Sequence, residues 1–209
     1  VRDYGCDSLR MYELFVGPPE LDSEWDDRGI DGVYRFITRL WKLVLDNKDS
    51  GVKATKELIK IRNKMIYDIT TRLESFSLNT VVSGFMEYNN KLIEMAKKGG
   101  VDKETLETLV VLLAPFAPHI SEELWSQLGH DTSVFDNRWP EYDEAAMVDD
   151  EKEVAVQING KTKCVIKVPA DISKEDALAA GKEALGSKLS GNIVKEIYVP
   201  GRIINIVAK

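Results

Sequence analysis

The sequence predicts an α+β chain: an antiparallel-type helical bundle followed by a small ββαββ domain. Three observations lead there. Over residues 1–148 apolar positions recur with a helical period, in segments separated by short Gly- and Pro-bearing turns. From residue 149 the period drops to two. Asn159-Gly160 and Pro200-Gly201 then punctuate two pairs of β-branched runs on either side of one amphipathic helix.

Asp7 and Ser8 can cap a first helix through Leu9, Met11, Tyr12, Leu14 and Phe15, which Gly17-Pro18-Pro19 ends because Pro cannot continue a helix. Residues 20–30 read as an acidic loop around Trp25. Val33, Phe36, Ile37, Leu40, Trp41 and Val44 then form one apolar stripe. After a turn at residues 47–51, a helix over residues 52–74 turns Leu58, Ile61, Met65, Ile69 and Leu73 inward. Another over residues 78–98 does the same with Val81, Val82, Phe85, Met86, Leu92, Ile93 and Ala96, and Gly99-Gly100 stops it. Asp102 is placed to cap a helix through Leu106, Leu109, Val110 and Leu113 that Pro115 ends. Pro118 suits the first turn of a further helix carrying Ile120, Leu124, Trp125 and Leu128, up to Gly129.

Residues 130–151 lack a period, and Asp143, Glu144, Asp149, Asp150 and Glu151 make them a charged linker. Domains are therefore expected at 1–148 and 149–209. In the second, Val154, Val156 and Ile158 alternate with Ala155, Gln157 and Asn159, and Val165 to Val168 should pair back. Ser173 with Asp176 resembles a capping box opening a helix through Ala177, Leu178, Ala180 and Leu185. Residues 193–199 and 202–208 make the second hairpin.

The 209 residues carry a net charge of -7, which argues against indiscriminate nucleic-acid binding. The charge is uneven. Residues 151–209 hold 10 Lys/Arg against 7 Asp/Glu, and residues 1–150 hold 18 against 28. A mildly basic tail beside an acidic body points to a polyanion at the C-terminal end. No apolar run approaches the roughly 20 residues of a membrane span. The chain begins at Val1 in mid-pattern without a basic-then-apolar leader, so it reads as part of a longer cytoplasmic protein. Cys6 and Cys164 are expected to be free thiols.

Catalytic sets are not evident. There is no Gly-rich phosphate loop, no CxxC pair and no HExxH, so no catalytic, cofactor or metal residue is assigned. His119 beside Pro118 is conceivable as a base, but capping or packing fits it better, and His130 is expected to be solvated. Glu122-Glu123 and Asp26-Asp27 are sequence neighbours, which on a helix point in different directions.

Two basic features could bind RNA. Lys53, Lys56, Lys60 and Lys64 step by three and four along one helix face and could track phosphates, or could be a solvated face opposite the core. Gln157, Asn159, Lys161 and Lys163 alternate, so they project from one side of a regular ribbon, where Lys195 and Arg202 could join them. Amides read base edges or 2′-hydroxyls and cations neutralise phosphate. A hydrophilic outer face on a half-buried sheet would look the same. Trp41 and Trp125 belong to the core, whereas Trp25 and Trp139 lie in loops and stay open.

Several segments also resemble a known family. Tyr4-Gly5-Cys6-Asp7-Ser8-Leu9-Arg10 looks like the stretch after the KMSKS signature of class I aminoacyl-tRNA synthetases. Residues 24–36 with Arg39-Leu40-Trp41 resemble the bundle entry of bacterial-type leucyl-tRNA synthetases. Residues 113–125, Leu-Ala-Pro-Phe-Ala-Pro-His-Ile-Ser-Glu-Glu-Leu-Trp, are similar to a segment shared by the leucine, valine, isoleucine and methionine enzymes. Gln157-Ile158-Asn159-Gly160-Lys161 and residues 199–207 resemble the C-terminal domain of the leucine enzymes.

The resemblance implies an anticodon-binding-type bundle, with residues 1–20 closing the catalytic-domain junction, followed by a C-terminal tRNA-binding domain. It implies tRNA(Leu) as partner, together with the catalytic and editing domains of the same protein, and a parent ligase that uses ATP and Mg. For this part it implies no cofactor, no membrane and no indicated oligomer. The implied tRNA-binding set is Lys60, Lys64, Gln157, Asn159, Lys161, Lys163, Lys195, Arg202 and Asn205, with Asn205 equally readable as a satisfied strand residue. Lys163 stands where Arg is usual, losing a bidentate fork. Arg62 stands at an apolar position, so either the helix rotates or the Arg stem covers the bundle with its head in water. The rivals are the tRNA-binding part of a valine, isoleucine or methionine enzyme of the same class and, from another class, a protein-interaction scaffold with a β-grasp-like tail.

Overall fold

Among the described residues, seven α-helices and one four-stranded mixed sheet make up the fold. The structure, a computed structural model, describes residues 2–26, 28–148, 151–170, 172–186, 189 and 191–208. The chain divides into two units, Val1–Met147 and Val148–Lys209.

The first unit packs α1 (Cys6–Phe15), α2 (Gly29–Asn47), α3 (Lys56–Glu74), α4 (Leu78–Lys98), α5 (Lys103–Leu113) and α6 (Pro118–Gln127) around one apolar core. The stripe on α2 buries Val33, Phe36, Leu40 and Val44, while Ile37 and Trp41 pack at its margin. Opposite them lie Leu58, Met65 and Ile69 of α3, Val82, Phe85 and Leu92 of α4, and Leu106 and Leu109 of α5. Each fully buried side chain of this size contributes about 1.5–3 kcal/mol.

Two helix starts differ from expectation. Thr55, not a residue near 52, opens α3, because its hydroxyl accepts from Leu58 N at 3.2 Å. Lys53 therefore precedes the helix and leaves the lysine row. In α1 the N-cap is Gly5, without a side-chain cap, and Asp7 is buried within the first turn. Its carboxylate instead accepts from Ile120 N at 2.7 Å and lies 2.8 Å from His119 Nδ1, closing the N-terminus of α6 from outside. Sequence could not show this, because the two partners are over a hundred residues apart.

The aperiodic stretch after α6 is held along α3. Trp139 Nε1 donates to Thr70 Oγ1 at 2.8 Å, and Asp143 N donates to Asn63 Oδ1 at 2.7 Å. Tyr142 meets Tyr67 edge-on at 5.2 Å. Trp139 thus serves packing. Asp149, Asp150 and Asp27 lie outside the described residues.

In the second unit β1 (Glu151–Ile158), β2 (Lys161–Pro169), β3 (Ile193–Val199) and β4 (Ile203–Ala208) form a sheet of order β2-β1-β4-β3, with α7 (Lys174–Leu185) between the hairpins in sequence. The outer pairs are antiparallel and the central β1–β4 pair is parallel. Asn159 and Gly160 take φ of 50° and 78°, the positive pair that the turn requires. Val154, Val156, Val168, Ile204 and Ile206 pack against Ala177, Leu178 and Leu185 of α7. Gly181 permits that approach, since a Cβ there would sit 2.9 Å from Ile204 Cγ2.

Candidate nucleic-acid interface

On the bundle, Lys60 and Lys64 occupy successive turns of α3 and are half-buried, not fully solvated. Desolvation holds the Lys64 ammonium below the ordinary lysine value, and the charges of Lys60 and Lys91 push the same way, against Asp68. Positive charge is therefore concentrated where α3 meets α4. Lys91 was not read from the sequence as part of this group, because only the α3–α4 packing brings it in. It lies 4.4 Å above the Tyr88 ring, whose hydroxyl donates to Asp68. Burial and that carboxylate push the Tyr88 phenol well above its usual range. Tyr88 thus stays neutral as a fixed platform beneath Lys91.

Arg62 takes neither of its two expected placements. Its side chain is 12% exposed and Nη1 lies 2.6 Å from Glu104 Oε2 and 3.6 Å from Asp102 Oδ1. The guanidinium is spent on joining α3 to the start of α5 and is withdrawn from any phosphate.

In the second unit a register shift breaks the regular ribbon. Val156 pairs with Cys164 but Gln157 pairs with Thr162, so Lys163 is the extra, bulged residue. Lys161 then pairs with Ile158 and shares its side, while Gln157 faces the opposite, open side. The four alternating residues do not form one row.

The amides have structural partners. Asn159 Nδ2 donates to Ala208 O and its Oδ1 accepts from Ala208 N, both at 3.0 Å. Asn205 Oδ1 accepts from Gly160 N at 3.1 Å, and Gln157 Nε2 donates to Thr162 Oγ1 at 3.2 Å. The Asn159 and Asn205 bonds tie the first hairpin turn to β4, and the Gln157 bond joins β1 to β2. Asn205 is the satisfied strand residue at its Oδ1, and its other amide atom lies on the open face beside Gln157.

Lys161, Lys163 and Lys195 are exposed at this end of the sheet but on opposite edges, the first two on β2 and Lys195, which pairs with Val207, on β3. Arg202 does not join them. It precedes β4, beside the middle of β1, so about 13 Å along the strands separates its level from that of Lys161. Nor is the open face uniformly hydrophilic. Val165, Ile197 and Val199 are 57%, 37% and 42% exposed there, flanking Ala155 and Ile203. The alternation of apolar residues on both faces of β3 and β4 was the sequence signal for it.

The histidines are occupied. His119 bonds Asp7, and His130, expected in solvent, stacks on Trp125 at 3.7 Å with Nε2 2.6 Å from Glu107 Oε1. Glu122 caps the turn at Val134, and Glu123 accepts from Gln127. Among the described residues no group of three or more His, Cys, Asp or Glu could hold a metal ion, and no helix is long and apolar enough to cross a membrane. Cys6 and Cys164 are free.

Comparison with known proteins fits this picture. Residues 55–178, more than half of the chain, match the family described as the anticodon-binding domain of tRNA ligase. The chain belongs to that family. The matched stretch runs from the start of α3 into α7. Leucine–tRNA ligases of Parabacteroides distasonis, Fervidobacterium nodosum and Cyanothece sp. are 44%, 43% and 42% identical over 99%, 100% and 99% of the chain. The chain spans 22%, 28% and 26% of their respective lengths, in a C-terminal part. A crystal structure of a ternary complex of Agrobacterium radiobacter K84 agnB2 LeuRS with tRNA and LeuAMS superposes with a TM-score of 0.79 at 30% identity, over all of this chain and 30% of that one.

Proposed function

We propose that the chain is the tRNA-handling C-terminal part of a leucine–tRNA ligase, which attaches leucine to tRNA(Leu) with ATP in the cytoplasm. Identity of 42–44% to such ligases along nearly the whole chain carries this reading. The bundle (residues 1–148) orients the tRNA through Lys60 and Lys64, with Lys91 completing their cluster. The small domain (residues 149–209) grips it through Lys161, Lys163 and Lys195 at one end of the sheet and Arg202 further along the strands. Gln157 and Asn205 offer amide atoms on the open face, and Asn159 shapes the turn that presents the lysines. Chemistry belongs to other domains of the parent protein. ATP and Mg belong with that chemistry. A correct grip places the terminal ribose near activated leucine, so distant binding raises the rate by positioning.

Titration with tRNA(Leu) against bulk RNA over a range of salt tests the proposal. Selective binding that weakens with salt is expected. Lys161→Ala with Lys163→Ala should lower affinity and reduce the salt slope by about 2. An unchanged slope removes the hairpin from the interface, and a chain that binds neither RNA favours a scaffold.

A further inference from the structure

A groove of about 480 Å³ lies between α2 and α4, and none of its lining residues comes from α3. Its floor is aliphatic, formed by Leu43, Ile93 and Ala96, and its rim is basic, formed by Arg39, Lys42 and Lys97. We infer that this groove seats one unstacked nucleotide of the bound RNA, base on the floor and phosphates on the rim. The inference rests on the tRNA-binding reading above and adds a site to it.

Four features argue for that occupant. The volume falls within the roughly 300–1,000 Å³ typical of small-ligand sites, enough for one nucleotide and too small for a duplex. Three cations face one lining carboxylate, Asp46, so the rim favours an anion. Arg39 is held in place, with Nη2 donating to Asn90 Oδ1 at 2.7 Å across the α2–α4 seam. Its fork is thereby partly immobilised before any ligand arrives, which lowers the entropy lost on binding. The floor offers a flat group apolar contact that a base can give only when it leaves its stack.

The groove should tolerate any base. The lining amide, Asn47, is already committed: Nδ2 donates to Leu43 O at 2.9 Å and Oδ1 accepts from Val101 N at 3.2 Å. With that amide spent, the floor recognises an apolar face and the rim recognises charge.

Two changes in the intact chain separate the parts of the site in the tRNA(Leu) titration. Lys42→Ala with Lys97→Ala should lower affinity and reduce the salt slope by about 1.4, at roughly 0.7 per single-strand phosphate. Ala96→Phe fills the floor and should lower affinity roughly tenfold, the scale of one lost base contact, with the slope unchanged. If Ala96→Phe keeps its melting temperature and binds as well as the unmodified chain, no nucleotide is seated there. As a check free of substitutions, 4-thiouridine-substituted tRNA should cross-link to residues 39–47 or 93–97. Cross-links confined to other segments overturn the inference. Should the unmodified chain not bind tRNA at all, both the inference and the function beneath it fall. Binding that the groove variants leave intact removes the groove alone.

Discussion

Asn159→Gly separates holding the small unit together from touching RNA. In the structure this amide spans both backbone groups of Ala208, at 3.0 Å each. A typical hydrogen bond contributes a net of about 0.5–1.5 kcal/mol, so the pair is worth about 2 kcal/mol. Glycine tolerates the φ of 50° without strain, so the loss reports those two bonds and the added freedom of the unfolded chain. Asn159→Ala should cost a further 1–2 kcal/mol or so, because a Cβ is disfavoured at positive φ. Hydrogen exchange on the intact chain reads this locally. With about 1.4 kcal/mol per tenfold, protection of the β1 and β4 amides should fall roughly thirtyfold in the Gly variant while the bundle amides keep theirs. Affinity for tRNA, measured where the small unit remains folded, should stay within about twofold of the parent. Unchanged protection together with a large loss of tRNA affinity would refute the structural assignment and return Asn159 to the RNA-contacting set.

Other outcomes follow from the same geometry. Because the folded Lys64 pKa lies below its unfolded value, the unfolded chain holds more protons between the two, and stability should rise with pH across that alkaline window. Phosphate beside Lys64 favours its charged form, so tRNA binding there should take up protons at alkaline pH, and Lys64→Gln should abolish the uptake seen by calorimetry. Arg62→Ala should cost about 1–3 kcal/mol in urea unfolding, less than stripping a wholly dependent buried charge, because Asp102 keeps its bonds to Thr105 N and Oγ1 at 3.0 and 2.6 Å. A loss beyond about 4 kcal/mol would mean that those bonds do not compensate. The chain should show no leucine-dependent ATP–pyrophosphate exchange, and measurable exchange would reveal a catalytic centre within it.

Residues 31–47, 78–98 and 103–113 were legible as helices because their apolar stripes, Gly99-Gly100 and Asp102 act locally, through spacing and capping that need no distant partner. The same holds for the Asn159-Gly160 turn, whose positive φ values are a property of two residues. Family membership was legible in runs such as residues 113–125. The sequence by itself therefore determined the elements, their order and the relatives. Tertiary structure alone decided which polar groups are committed to partners and which stay open. Asp7 was drawn to α6, Arg62 to Glu104 and Asn159 to Ala208, because a polar group that folding takes from water must find a partner wherever packing supplies one. The bulge at Lys163 and the entry of Lys91 beside Lys64 likewise came from strand register and helix packing, which the local pattern does not show.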